Sequence, residues 1–219
     1  MKSFLISIKP QWVEKILNGE KIYEIRKTIP KEWKEYLRGK TSIKPAPSKW
    51  YIYCTNGYML YDLRNEDYLE LERKYTLDMT HNSNKYLSGT PPMLNRRIVA
   101  EFTLNEIEEF DVPYPAYFYE VKDKLKHITD SSCLTLDDLH RYLKNDSGYA
   151  LRIEDLKIYD KPKELSEFRK INRCHYSNYE DFCCFECCTF YDLGDCDGKY
   201  LKIERPPQSW CSVENLEEE

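Results

Sequence analysis

The chain has 219 residues, with 33 Lys and Arg against 38 Asp and Glu, for a formal charge of −5. Hydrophobic residues make up 41%, but 19 Tyr inflate that share, and charged residues reach 32%, above the usual ~25%. That length fits one compact domain with decorations or two small ones. A 14% aromatic content carries too much buriable surface for a disordered chain.

Several functions are excluded directly. Seven scattered glycines form neither G-x-x-x-x-G-K-[ST] nor G-x-G-x-x-G, so no phosphate-cradling loop is present. His81, His127, His140 and His175 never form H-E-x-x-H, and G-x-S-x-G is absent. No apolar run approaches the ~18–20 residues of a membrane span, and the apolar patch before Lys9 is too short for a secretory signal. The expected setting is the cytoplasm, with no membrane partner. Charge is uneven: residues 1–50 hold twelve Lys and Arg against five Glu. A basic front on an acidic protein points to a local anion site more than to a nucleic-acid coat, with a solvated Lys-rich surface as the bland alternative.

In chain order, Phe4–Ile8 reads as a first strand with Phe4, Ile6 and Ile8 on one face. Pro10 suits a helix start, Trp12, Val13, Ile16 and Leu17 form one stripe, and Asn18-Gly19 stops the helix. The second strand, Tyr23 to Lys27, places Glu24 and Arg26 on one face and Tyr23 and Ile25 on the other. A Lys/Pro-rich connection follows, with a helical turn near Lys31–Leu37, and then a strand from Trp50 to Cys54. Residues 56–97 read as an insertion, with helix near Asp67–Tyr75. Ile98–Leu104 is the cleanest strand, with Ile98, Ala100, Phe102 and Leu104 on one side and Val99, Glu101 and Thr103 on the other. Thr135 caps a helix carrying Leu136, Leu139 and Leu143 inward. Gly148 precedes a strand at Tyr149–Ile153, which Leu156–Tyr159 continues. A short helical segment spans Glu164–Lys170, and residues 208–213 form a closing strand behind Pro206-Pro207. Strands with one early and one late helix suggest an α+β fold whose mixed sheet curls into a small barrel. The whole chain, 1–219, is then one domain with insertions at about 56–97 and 162–204.

Lys21, Glu24 and Arg26 fall within a few residues of the sheet's mouth. A desolvated Lys beside a guanidinium has its pKa pushed down toward a useful base, and a carboxylate beside both can shuttle a proton or bind an amino group. A surface ion-pair cluster is the alternative. Six of the nine cysteines concentrate late: Cys174, Cys183, Cys184, Cys187, Cys188 and Cys196. Only one proper C-x-x-C pair is present, with its register open between Cys184/Cys187, Cys183/Cys187 and Cys184/Cys188; Cys174 and Cys196 flank it, and His175 is a substitute ligand. A structural zinc on Cys174, Cys184, Cys187 and Cys196, disulfides, and free thiols all remain open. Cys54, Cys133 and Cys211 read as ordinary buried small residues.

The order Gly19-x-Lys21-x-x-Glu24-x-Arg26 directly after the first helix resembles the hallmark of the ASCH domain family, within the PUA-like superfamily. The resemblance extends through Leu5–Pro10, Tyr51–Cys54, Ile98–Phe102, Gly148–Ala150 and Arg205–Cys211. It implies a PUA-like β-barrel of five to six mixed strands with flanking helices, binding RNA or modified nucleotides beside the first helix. One bacterial group of that family removes the acetyl group from N4-acetylcytidine, and others are reported to cleave RNA. By that likeness Lys21 is the catalytic lysine. The family's Thr position is occupied here by Glu24, and its distant Glu has only positional candidates in Glu101 and Glu120. The expected catalytic set is therefore Lys21, Glu24 and Glu101, and the expected ligand contacts are Lys9, Arg26, Lys27 and Tyr53. No cofactor is expected for the chemistry. A nucleotide- or RNA-binding module, a hydrolase on the same pocket (amidohydrolase or ribonuclease), and a protein-interaction domain with a protein partner are the three functional readings.

Overall fold

The computed structural model describes residues 1–57, 60, 93–112, 123–144, 147–171 and 200–216. Among the described residues ten strands form two sheets. They are β1 (Ser3–Ile8), β2 (Tyr23–Arg26), β3 (Ser48–Cys54), β4 (Ile98–Leu104), β5 (Ile107–Asp111), β6 (Ser147–Arg152), β7 (Glu154–Lys163), β8 (Arg169–Ile171), β9 (Tyr200–Lys202) and β10 (Trp210–Val213). The larger sheet has the order β7-β4-β3-β1-β10-β8-β9, and the smaller has β2-β6-β5. Four helices accompany them among the described residues: α1 (Pro10–Leu17), α2 (Lys31–Leu37), α3 (Lys126–Ser132) and α4 (Leu136–Leu143).

β1 is the centre of the large sheet, parallel to β3 and antiparallel to β10. All six of its residues are buried, so both its faces are covered. Phe4, Ile6 and Ile8 enter the main core with Trp50, Ile52, Phe102 and Leu104. Phe4 stacks on Trp50 at 4.7 Å between ring centroids. Across this core lie Ile107, Tyr149 and Leu151 from the small sheet, with Val13 and Ile16 of α1. The opposite face of the large sheet buries Leu5, Tyr51, Tyr53 and Phe168. The outer face of the small sheet, through Ile25, Phe110 and Ala150, packs against Ile128, Leu139 and Leu143 of α3 and α4.

Local chemistry explains the elements that matter most for the cleft. α1 begins at Pro10, whose fixed φ and missing N–H cost nothing at a helix start. It ends with Gly19 at φ +75, where Gly19 N–H reaches Ile16 O and Glu20 N–H reaches Lys15 O. That left-handed stop needs a residue without Cβ, and it turns the chain directly into β2. α4 starts with a capping box, in which Thr135 Oγ1 accepts from the Asp138 amide and Asp138 accepts from the Thr135 amide. Gly148 lets α4 sit close on the small sheet, since a Cβ there would lie 2.7 Å from Leu143 Cδ1 and 2.8 Å from Phe110 Cζ.

The α+β class is observed, but the expected barrel of five to six strands is not: the two sheets do not close on each other. β5 is short and follows β4 after two residues, so alternation does not reveal that it belongs to a different sheet. The segment 164–170 is a 3-10 turn at Leu165–Glu167 followed by β8, not a helix, because Phe168 is drawn into the buried face behind Tyr51. The alternation of β4 also breaks once. A register shift near Ile98/Ala100 puts Val99 in the main core and Ile98 on the other face. The closing strand is β10, a little shorter than expected. The interior of the 56–97 insertion, the helix near Asp67–Tyr75 and the cysteine-rich stretch lie outside the described residues. The paired ends of that stretch, Ile171 and Tyr200, are Cα partners on β8 and β9. Cys54 is buried as expected, whereas Cys133 and Cys211 are half-buried.

Two substitutions around α4 check this account. Thr135→Ala should lower stability by about 1 kcal/mol, a fall of roughly 2–4 °C in Tm, by removing the cap. Gly148→Ala should cost about 1–3 kcal/mol in urea denaturation, because Leu143 and Phe110 must shift in a packed core.

Candidate functional site

Directly opposed residues on neighbouring strands point the same way, so the β2–β6 register sets the site. Glu24 lies opposite Leu151, and Arg26 lies opposite Tyr149. Glu24 and Arg26 therefore project to the inter-sheet side, the side of the main core, while Ile25 points outward to α3 and α4. The alternation read from the sequence is observed, and it puts charges where a core would otherwise be. Lys21, Glu24 and Arg26 are 2%, 6% and 6% exposed.

Burial of this kind requires pairing. Arg26 Nη2 donates to Glu24 Oε1 at 2.9 Å, and Lys21 Nζ lies 3.4 Å from Glu24 Oε2. Arg26 Nη2 also donates to the Ser7 carbonyl at 2.6 Å, and Nη1 reaches Ser209 Oγ at 3.4 Å. Lys21 Nζ donates to the Ser132 carbonyl at 2.9 Å and sits 5.5 Å from the centre of the Trp12 ring. An ammonium has three donors, and here Ser132, Glu24 and the Trp12 face meet them. Burial pulls the Lys21 pKa below the ordinary lysine value, and the Glu24 carboxylate opposes that pull.

The trio lies at the floor of a cleft of about 680 Å³. α1 supplies Lys9, Gln11 and Trp12 on one side, α4 supplies Asp138, Arg141 and Tyr142 on another, and Pro206–Gln208 form a strap. The strap is held to β1, where Ser7 Oγ donates to the Pro207 carbonyl at 2.6 Å and the Ser7 amide to the Ser209 carbonyl at 3.0 Å. Asp138 is held below the usual carboxylate range, chiefly by the Thr135 hydroxyl and then by its amide.

Of the residues expected from the sequence, Lys9, Lys21, Glu24 and Arg26 meet in this cleft. Lys27 stands at its margin, its amine 5.1 Å from the ring centre of Tyr142. Glu101 and Tyr53 are not brought there. Glu101 is opposite Tyr51 on β3 and so faces the other side of the large sheet. Its carboxylate is bound by Lys49 at 3.2 Å and by the Tyr159 hydroxyl at 2.5 Å. Tyr53 is 5% exposed in the same opposite-face cluster. Cys174, Cys184, Cys187 and Cys196 lie outside the described residues. Among the described residues no group of three or more His, Cys, Asp or Glu could hold a metal ion. Sequence reasoning missed Ser7, Arg141, Tyr142 and the strap as cleft residues. One signal was available: Tyr142 is an aromatic on the polar side of the Leu136/Leu139/Leu143 stripe, and it is 40% exposed.

No family model matches the chain, and no curated protein does. Its structural neighbours include ASCH proteins. ASCH from Zymomonas mobilis is 14% identical with a TM-score of 0.48, covering 97% of this chain and 88% of that one. A point mutant of the same protein gives 14% and 0.48, over 98% and 91%. The N-terminal domain of Staphylothermus marinus McrB is 13% identical with a TM-score of 0.35, over 92% and 87%. At this identity and overlap these likenesses carry no residue role and no activity to the present chain.

Proposed function

We propose that the protein binds RNA or a modified nucleotide in the cleft floored by Lys21, Glu24 and Arg26. The observation that carries the reading is the pairing of aromatic planes with buried charge. Trp12 and the exposed Tyr142 line the same space as the ionic trio. An aromatic face accepts any base by stacking, worth about 1–3 kcal/mol per base. Lys9 and Arg141 at the rim suit phosphates, as point charge and fork respectively. A cytoplasmic setting, and a structural zinc on Cys174, Cys184, Cys187 and Cys196, belong to the same proposal; elemental analysis of the untagged protein tests the zinc. Among the described residues no helix is long and apolar enough to cross a membrane.

One observation favours a second reading, a hydrolase acting on an acylated nucleoside or on RNA. The burial that lowers the Lys21 pKa is the condition a lysine base needs. Against it, all three donor directions of Lys21 are engaged, which retains the proton and describes a held cation. Turnover of N4-acetylcytidine that disappears in Lys21→Met would support the hydrolase; equal turnover in both proteins would remove it.

Two outcomes follow from the binding reading. In fluorescence anisotropy a short single-stranded RNA should bind with a log K that falls linearly with log salt, by ~0.7 per phosphate neutralised. Tyr142→Ala should weaken it roughly 5- to 150-fold if that ring stacks a base, with the circular dichroism spectrum unchanged. Separately, the Lys21 amine should titrate below 10.5 by nitrogen NMR, and lower still in Glu24→Gln, which removes the opposing carboxylate. The sign for stability follows: between the folded Lys21 value and 10.5 the unfolded chain holds more protons, so this group makes stability rise with pH there. A Lys21 value that rose in Glu24→Gln would contradict the geometry.

A further inference from the structure

We propose that the innermost group this cleft accepts is an anion, a phosphate monoester or diester, so that its ligand is a nucleotide and not a free nucleoside. This deepens the nucleotide reading above and rests on it only for the base-bearing part of the ligand.

Three independent observations converge. The first is charge. Both Glu24 oxygens are taken, one by Lys21 and one by Arg26, so a single carboxylate faces two cations that are almost out of water. Among the described lining residues, Lys9 and Arg141 add positive charge at the rim, and Asp138 is the remaining acid. Asp138 offsets Arg141, whose Nη1 lies 3.9 Å from Oδ1, while its Oδ2 accepts from the Thr135 hydroxyl at 2.7 Å and the Thr135 amide at 3.1 Å; the lining still holds four cations against two acids. A site with excess positive charge and little water strengthens its attraction for an anion.

The second is an orphaned donor. Arg26 Nε is buried and has no hydrogen-bond partner. Its neighbour Nη1 has only the long 3.4 Å contact to Ser209. A guanidinium carries five N–H groups, and leaving some unmet in a buried place is costly unless a ligand supplies the acceptor. A phosphate oxygen is the charged acceptor that such an unmet guanidinium N–H lacks.

The third is α1. Its first turn has no acidic residue, and its cap, Lys9, supplies no side-chain hydrogen bond. The positive end of this helix opens on the cleft, where Lys9, Gln11 and Trp12 line it. α4, which also borders the cleft, has the Asp138 amide of its first turn met by Thr135. A neutral base placed at the floor would answer none of these three. A phosphate between Arg26 and the start of α1 would answer all of them and leave Trp12 and Tyr142 for the base.

Isothermal titration of the full chain tests this with the four 5′-monophosphates, the four 3′-monophosphates, the matching nucleosides and inorganic phosphate. At least one monophosphate should bind about tenfold or more tightly than its nucleoside, and inorganic phosphate should compete. Lys9→Gln, an exposed position that leaves the core untouched, should weaken the monophosphate several-fold and the nucleoside little. A nucleoside binding as tightly as its monophosphates would overturn the anion proposal while leaving the base-binding function standing. Inorganic phosphate binding as tightly as every monophosphate would do the reverse, keeping the anion site and removing base recognition. Silence from every probe would remove both.

Discussion

The Glu24 carboxylate is one oxygen pair shared by two buried cations, and much of the molecule is organised around it. β2 belongs to the small sheet, yet Arg26 bonds to the Ser7 carbonyl on β1 in the large sheet. Lys21 bonds to the last residue of α3 through the Ser132 carbonyl. Arg26 also reaches Ser209, just ahead of β10. Four separate parts of the chain thus meet at one ionic knot, which stands where the apolar layer between the sheets runs out. Apolar residues of similar volume would often hold such a seam as well or better. A buried salt-bridge cluster is therefore weak evidence for stability.

The seam also determines what the cleft can be. The main core pulls the two sheets together along Phe4, Trp50, Phe102, Tyr149 and Leu151. At the β2 end, the sheets are separated by charge in place of hydrocarbon. Charged groups that are fixed by backbone carbonyls cannot relax as surface side chains do. The site is thus preorganised: its donors are held before any ligand arrives, and ordering them costs little on binding. The strap shares this character, since Pro206 and Pro207 restrict the backbone and Ser7 fixes it from two sides.

Much of this was legible in the sequence where the signal is local. The run from Phe4 to Arg26 shows a period of two, then a helical stripe, a Gly stop and a period of two again, and each change of period corresponds to an element. The shared face of Glu24 and Arg26 followed from alternation alone. Non-local facts were not legible. Whether Glu101 faced the cleft depended on its register against Tyr51, which no local pattern carries. The flip of Val99 into the core comes from an irregular pairing between strands. Tyr142 and Arg141 reach the cleft because α4 packs on the outer face of the small sheet, and a polar helix face looks the same whether it meets solvent or a ligand. Two sheets instead of one barrel is a fact of the same kind, since alternation assigns a residue to a face without assigning a strand to a sheet.

The tie between β1 and the strap has a consequence for how the protein is made. Ser7 and Ser209 are in contact although nearly the whole chain separates them, and β1 itself is flanked by β10. Contacts of such long sequence separation form slowly and late. During synthesis, β1 must wait beside an unfilled edge, and the ionic trio has no strap above it until β10 has left the ribosome. The cleft is therefore complete only once the strap and β10 have been made, and a nascent or truncated product that lacks them has a cleft open on one side however well its first half has folded.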